Sequence, residues 1–145
     1  MKIAMASDHA GFELKEAVKN YLNNQKIEVE DLGTYSLDSV DYPDYGKKLG
    51  VAVMSGSYDF GIAICGTGIG ISIAANKVHG IRAALIYDKT TARLAKEHNN
   101  ANVIALGGRL LSKEEAYKLV DAFMHASFEE RHLKRLNKIN EIEES

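Results

Sequence analysis

The sequence predicts a doubly wound α/β domain of three layers, a parallel sheet between two layers of helices. Three observations carry that expectation. Short apolar runs alternate with amphipathic helical patterns along the chain. A crossover helix is what returns the chain for parallel pairing, so strand–helix alternation reads as βαβ units. Five apolar strands without polar alternation suggest a sheet covered on both faces.

The elements follow in order. "KIAMA" (2–6) is a short buried strand. Residues 11–24 place Phe12, Leu14, Ala17, Val18, Tyr21 and Leu22 on one helical stripe. "IEVEDLG" (27–33) is a second strand ending at a glycine, and 45–55 a helix through Leu49, Ala52 and Val53. "FGIAIC" (60–65) is a third strand, continued by a short apolar helix over 71–76. "IRAALIY" (81–87) is a fourth strand; the helix after it takes Asp88 as N-cap. "NVIALGG" (102–108) is a fifth strand. Ser112 and Glu115 stand in capping-box spacing at the head of the next helix. A last helix spans about 128–143, and the charged end "EIEES" is expected to fray.

Composition bounds the function. The chain has 145 residues, a 46% hydrophobic and 26% charged make-up and a net charge of −2, which suit one ordinary globular domain over 1–145. One cysteine leaves no disulfide framework, so a reducing cytoplasm fits. The start, "MKIAMASDHAG", has too short an apolar run for a signal peptide, and no apolar run reaches about 18 residues, so no membrane span is expected. No basic block favours nucleic acid.

In doubly wound sheets ligands bind beyond the carboxyl ends of the strands. That rule collects Ser7, Asp8 and His9, then Cys65 to Gly70, then Tyr87 and Asp88, then Gly107 to Arg109. The stretch "CGTGIG" offers unpaired N–H groups to an anion. A dinucleotide site is the weaker reading. The pattern is not GxGxxG and follows the third strand, although Asp88 falls where a ribose-binding acid would. Cys65, the only cysteine, is either a small buried hydrophobe or a reactive thiol. The N-terminus of the following helix would favour thiolate there. His9 and His98 lie on loops and could be structural or catalytic, whereas His79 and His125 have no special company. Arg131 and Arg135 share one face of the last helix, which is either a solvated basic face or, with Arg109 and His9, a phosphate site. No HxH, HxxxH or CxxC spacing points to a metal.

Five segments in order, "SDHAGFELK", "VDYPDYG", "GIAICGTGIGISIAANKVHGIRAAL", "EHNNANVIALGGR" and "ERHLKRLNKI", cover almost the whole chain. Their combined pattern resembles type B ribose-5-phosphate isomerase, in the family that includes the galactose-6-phosphate isomerase subunits. The resemblance implies a flavodoxin-like (Rossmann-like) α/β/α fold with a five-stranded parallel sheet and an extra C-terminal helix. It implies an aldose–ketose isomerase of the pentose phosphate pathway, acting on ribose 5-phosphate and ribulose 5-phosphate. The alternative is a hexose 6-phosphate such as allose or galactose 6-phosphate. By the same resemblance Cys65 is the base, and Thr67 and His98 open the sugar ring. The backbone of Gly66, Thr67, Gly68, Ile69 and Gly70, with Asn99, holds the enediolate. Asp8 contacts hydroxyls, Tyr42 lines the pocket, and His9, Arg109, Arg131 and Arg135 bind phosphate. One subgroup carries a glutamate base at the position of Ile71; this chain keeps Cys65 and an apolar Ile71. No metal or cofactor is implied. The last helix reaches a neighbouring subunit, implying a homodimer, or that dimer doubled into a tetramer. Two other classes compete: a non-catalytic nucleotide or sugar-phosphate binding module, and a hydrolase with Cys65 as nucleophile.

Overall fold

A computed structural model describes residues 1–145. The strands are β1 (Lys2–Ser7), β2 (Glu28–Asp31), β3 (Phe60–Cys65), β4 (Ala83–Leu85) and β5 (Val103–Gly107). The helices are α1 (Phe12–Asn24), α2 (Tyr42–Met54), α3 (Ile69–Asn76), α4 (Lys89–Glu97), α5 (Lys113–Met124) and α6 (Leu133–Glu144). Single 3₁₀ turns, His9–Gly11 and Glu130–His132, precede α1 and α6. All strands pair parallel, in the order β2-β1-β3-β5-β4.

This is the expected three-layer α/β/α architecture. Strands β4 and β5, at one end of the sheet, are exchanged relative to the 2-1-3-4-5 order of flavodoxins. Handedness fits that exchange. From β4 the chain turns back toward the sheet centre, so a right-handed crossover puts its helix on the opposite face from α3. Accordingly α1, α4 and α5 share one core, through Leu14, Val18, Ala92, Ala95, Val120 and Phe123. Helices α2 and α3 close the other, through Leu49, Val53, Ile71 and Ala75. The two expected capping arrangements both form: Asp88 accepts from Thr91 N–H at 2.7 Å, and Ser112 from Glu115 N–H at 3.1 Å.

Three expectations need correction. Only β1, β3 and β5 are covered on both faces. β2 is an edge strand whose Glu28 and Glu30 face solvent, and β4 at the other edge is partly covered. Helix α2 starts at Tyr42, because Pro43 at its first turn lacks only an N–H that the helix leaves unpaired anyway. The tail does not fray. Helix α6 runs to Glu144, and both carboxylate oxygens of Glu143 accept the Gly80 N–H at 3.0 Å.

One buried cation braces the loop beyond β2. Lys15 is fully buried, with Nζ 2.6 and 2.7 Å from the two Asp31 oxygens. Burial alone would raise the Asp31 pKa. Lys15, the Gly33 N–H and Lys19 outweigh it and hold that carboxyl below its usual range. No helix is long and apolar enough to cross a membrane.

Candidate active site

Where the chain leaves β1 and β5 it turns to one face of the sheet, and where it leaves β3 it turns to the other. A cleft opens between these departures, as such reversals require. It encloses about 440 Å³ and is lined by Asp8, His9, Ala10, Tyr42, Cys65, Gly66, Thr67, Ile69, Gly70 and Arg109. Gly68 is buried just beneath it.

Close backbone approach builds this cleft. Gly108 N–H donates to the Cys65 carbonyl at 2.8 Å, and Arg109 N–H to that of Gly66 at 2.9 Å. Asp8 N–H donates to the Ile64 carbonyl at 3.2 Å. A Cβ at Gly11 would stand 2.4 Å from the Ile64 carbonyl oxygen, so only glycine fits there. Gly68 has φ +81°, a left-handed turn that aims the chain into α3.

Cys65 forms the floor, 4% exposed, and its Sγ accepts the Gly68 N–H at 3.2 Å. The exposed Thr67 has Oγ1 against Ile69 N–H at 3.2 Å. The N–H groups of Gly66, Thr67 and Gly70 have no acceptor within the chain. Asp8 Oδ1 caps the 3₁₀ turn through Gly11 N–H at 3.0 Å. Val40 N–H donates to His9 Nδ1 at 3.1 Å, so a neutral His9 carries its proton on Nε2. Arg109 is exposed and paired with no carboxylate. The Tyr42 ring stands against Gly70, where a Cβ would meet it at 2.6 Å. A thiol, an unpaired arginine and free N–H donors thus share one mouth, a set suited to moving a proton beside a bound anion.

Four expected residues lie elsewhere. Helix α4 runs antiparallel to the strands, so His98 and Asn99 follow it at the amino edge of the sheet, beside Arg82. Arg131 and Arg135 gather there too. Glu129 N–H donates to the Glu97 carbonyl at 2.9 Å and docks the last 3₁₀ turn against the end of α4. The rings of His98 and His132 lie 4.3 Å apart. Arg131 pairs with Glu129 at 2.9 Å, and Arg135 donates to His132 Nδ1 at 3.1 Å. Burial, then Arg131, His98 and Arg135, hold His132 below the usual imidazole range. Val40, Glu129 and His132 were missed from the sequence. The Glu-x-x-His spacing of the last two was the available signal.

A family model described as Ribose/Galactose Isomerase matches residues 3–139. The chain belongs to this isomerase family. Ribose-5-phosphate isomerase B of Escherichia coli is 45% identical over 144 residues, 99% of this chain and 97% of that relative. The solved ribose-5-phosphate isomerase B of Clostridium thermocellum superposes with TM-score 0.97 at 50% identity, covering 99% of this chain and 98% of that one. A Mycoplasma genitalium ribose-5-phosphate isomerase B, solved with bound ribulose-5-phosphate, superposes with TM-score 0.94 at 41% identity and covers 99% and 97%. The isomerase family thus spans the whole cleft and the far-edge cluster alike.

Proposed function

We propose that this chain is a ribose-5-phosphate isomerase, interconverting ribose 5-phosphate and ribulose 5-phosphate by proton transfer through an enediolate. The observation that carries the reading is the Cys65 thiol at the floor of a cleft rimmed by unpaired N–H donors and Arg109. The names of the E. coli and C. thermocellum relatives, and the ribulose-5-phosphate bound by the M. genitalium one, support the pentose. Allose or galactose 6-phosphate is not favoured by these relatives.

In this reading His98 protonates the ring oxygen and Thr67 assists as the ring opens. Cys65 thiolate then takes the proton from C2, and electrons flow into the C1 carbonyl. The enediolate charge falls on oxygens facing the N–H groups of Gly66, Thr67 and Gly70, with Asn99, donors already oriented before the charge appears. Passing the O2 proton to O1 and returning the abstracted proton to C1 completes the ketose. Asp8 holds sugar hydroxyls, and Tyr42 walls the pocket. His9 Nε2–H, Arg109, Arg131 and Arg135 take the phosphate, whose binding fixes the reacting carbons in place.

Cys65 and His98 stand at opposite edges of one chain, so the working unit is a homodimer in which each copy lends its far edge to the other's cleft. Exposed apolar side chains on α2 and α3 (Val51, Met54, Ile69, Ile73) and on α6 (Leu133, Ile139, Ile142) supply surface for the pairing. A reducing cytoplasm suits the thiol.

The test is a coupled assay on ribose 5-phosphate and allose 6-phosphate with wild type and Cys65→Ala. Wild type turns over the pentose sugar, and Cys65→Ala loses roughly 10²–10⁴-fold, the range of a general base, while still folding. Near-normal turnover by Cys65→Ala would remove Cys65 from the mechanism. Absence of wild-type turnover on ribose 5-phosphate would sink the assignment.

A further inference from the structure

The far-edge cluster has a chemistry of its own. His98 Nε2 lies 3.9 Å from Glu129 Oε1, and His132 Nε2 lies 3.7 Å from the same oxygen. One donor atom from each residue falls within 4.8 Å of the other two. His132 is 7% exposed, and its Nε2 has no hydrogen-bond partner. Glu129 is the N-cap of the 3₁₀ turn that ends at His132, and the His132 N–H donates to the Glu129 carbonyl at 3.1 Å, which holds the two residues together. The Glu129 N–H to Glu97 carbonyl bond fixes that turn against the end of α4, which presents His98.

We propose that His98, Glu129 and His132 bind a divalent transition-metal ion of the zinc class, and that the bound ion switches the enzyme off by occupying His98. The second half rests on the isomerase reading. Two imidazoles and a carboxylate are a borderline-soft set that suits zinc, with water in the fourth position. Around a tetrahedral zinc, ligand atoms stand about 3.4 Å apart, so the two edges to Glu129 Oε1, at 3.9 and 3.7 Å, close by about half an ångström or less, and the two rings, whose ligand atoms lie within 4.8 Å, swing together by at most about 1.4 Å. Two arginines must yield. Arg135 donates to His132 Nδ1, which leaves the ring proton on Nε2; metal at Nε2 needs that proton on Nδ1 and Arg135 turned away. Arg131 must release Glu129. Both arginines are exposed and free to swing outward. Their displacement weakens the site, giving a reversible inhibitor ion and not a resident cofactor. An ion on His98 Nε2 takes the lone pair through which that ring would carry a proton.

The experiment separates binding from turnover. Metal-free wild type is titrated with Zn²⁺ by calorimetry and with Co²⁺ by visible absorption, alongside Glu129→Gln and His132→Asn. Each variant is checked for folding by thermal melt, and its inhibition is scored against its own metal-free rate. One zinc per chain is expected, with Co²⁺ bands of a tetrahedral nitrogen–oxygen site and binding weakened at least about tenfold in either variant. Zinc at ten times its dissociation constant should leave roughly one-tenth of the wild-type rate, restored by a chelator. Absence of binding to wild type, or equal binding by the folded variants, would overturn the site. A sulfur-to-cobalt charge-transfer band would place the metal on Cys65 and overturn it too. Full occupancy with undiminished turnover would overturn the switch. Lack of any metal-free turnover refutes the isomerase reading, and the titrations still decide the site.

Discussion

Mixing two dead variants tests the shared cleft. Gly107 pairs with Cys65, and β5 begins four residues earlier at Val103. At about 3.3 Å per residue that start lies roughly 13 Å from the thiol. His98 precedes Val103 on the same edge, far beyond the ~3 Å reach of proton transfer. Cys65→Ala and His98→Asn, each expressed alone, should lose activity at every cleft. Co-expressed in equal amounts, random pairing makes about half the dimers mixed. Each mixed dimer holds one cleft with both groups intact and one with neither. The pool should then recover about a quarter of the wild-type rate per chain, well above parents reduced about 100-fold or more. The assay is ribose 5-phosphate turnover on the co-purified pool, with dimerisation checked by sedimentation. Dimers that mix yet show only the parents' residual rates would refute the split of Cys65 and His98 between copies.

Other substitutions probe the frame. Gly11→Ala puts a methyl 2.4 Å from the Ile64 carbonyl oxygen, a backbone atom that cannot turn aside, and should cost about 1–3 kcal/mol or more by urea melt. Gly70→Ala meets only the Tyr42 ring, so stability should hold within about 1 kcal/mol while the displaced ring raises KM more than it lowers kcat. Lys15→Met strips the partly buried Asp31 of its closest cation and should cost about 3 kcal/mol at pH 7, with Lys19 and the Gly33 N–H limiting the loss. The Asp31 pKa is depressed in the folded state, so its stabilisation is full above the unfolded value of about 3.9 and fades as pH falls below it. Urea melts at pH 7 and pH 3 should therefore show a shallower acid loss in Lys15→Met than in wild type.

What the sequence made legible was local. Strands β1, β3 and β5 stand out because both faces bury apolar side chains, and the caps at Asp88 and Ser112 because a cap is a contact three residues long. The cleft followed from the same logic: parallel strands put the residues after β1, β3 and β5 at one edge. Periodicity could not show that β2 is an edge strand, because its Glu and Asp residues are set by the missing neighbour. It could not show that Glu143 reaches back to Gly80, a contact made only by the folded chain. His98 and the Glu129–His132 pair escaped a search for metal spacings because 31 residues separate them, and α5 returns the chain to α4 before they meet.

The glycine run between β3 and α3 gains a physical account from its neighbours. A Cβ at Gly66 would meet the Arg109 guanidinium at 3.1 Å, one at Gly68 the Leu106 backbone at 2.9 Å, and one at Gly70 the Tyr42 ring. Three glycines thus admit three different elements: the loop after β5, β5 itself and α2. Their closeness leaves the Gly66, Thr67 and Gly70 N–H groups unpaired within one turn of the thiol, while Gly68 N–H points at the sulfur. A dinucleotide would also need an acid free for its ribose. Asp88 is committed to Thr91 at the start of α4. A pyrophosphate carries its charge before it arrives, whereas an enediolate acquires charge only as the base removes a proton. Donors held this close to the proposed base therefore serve the second kind of anion best, because there their alignment lowers a barrier instead of only holding a ligand.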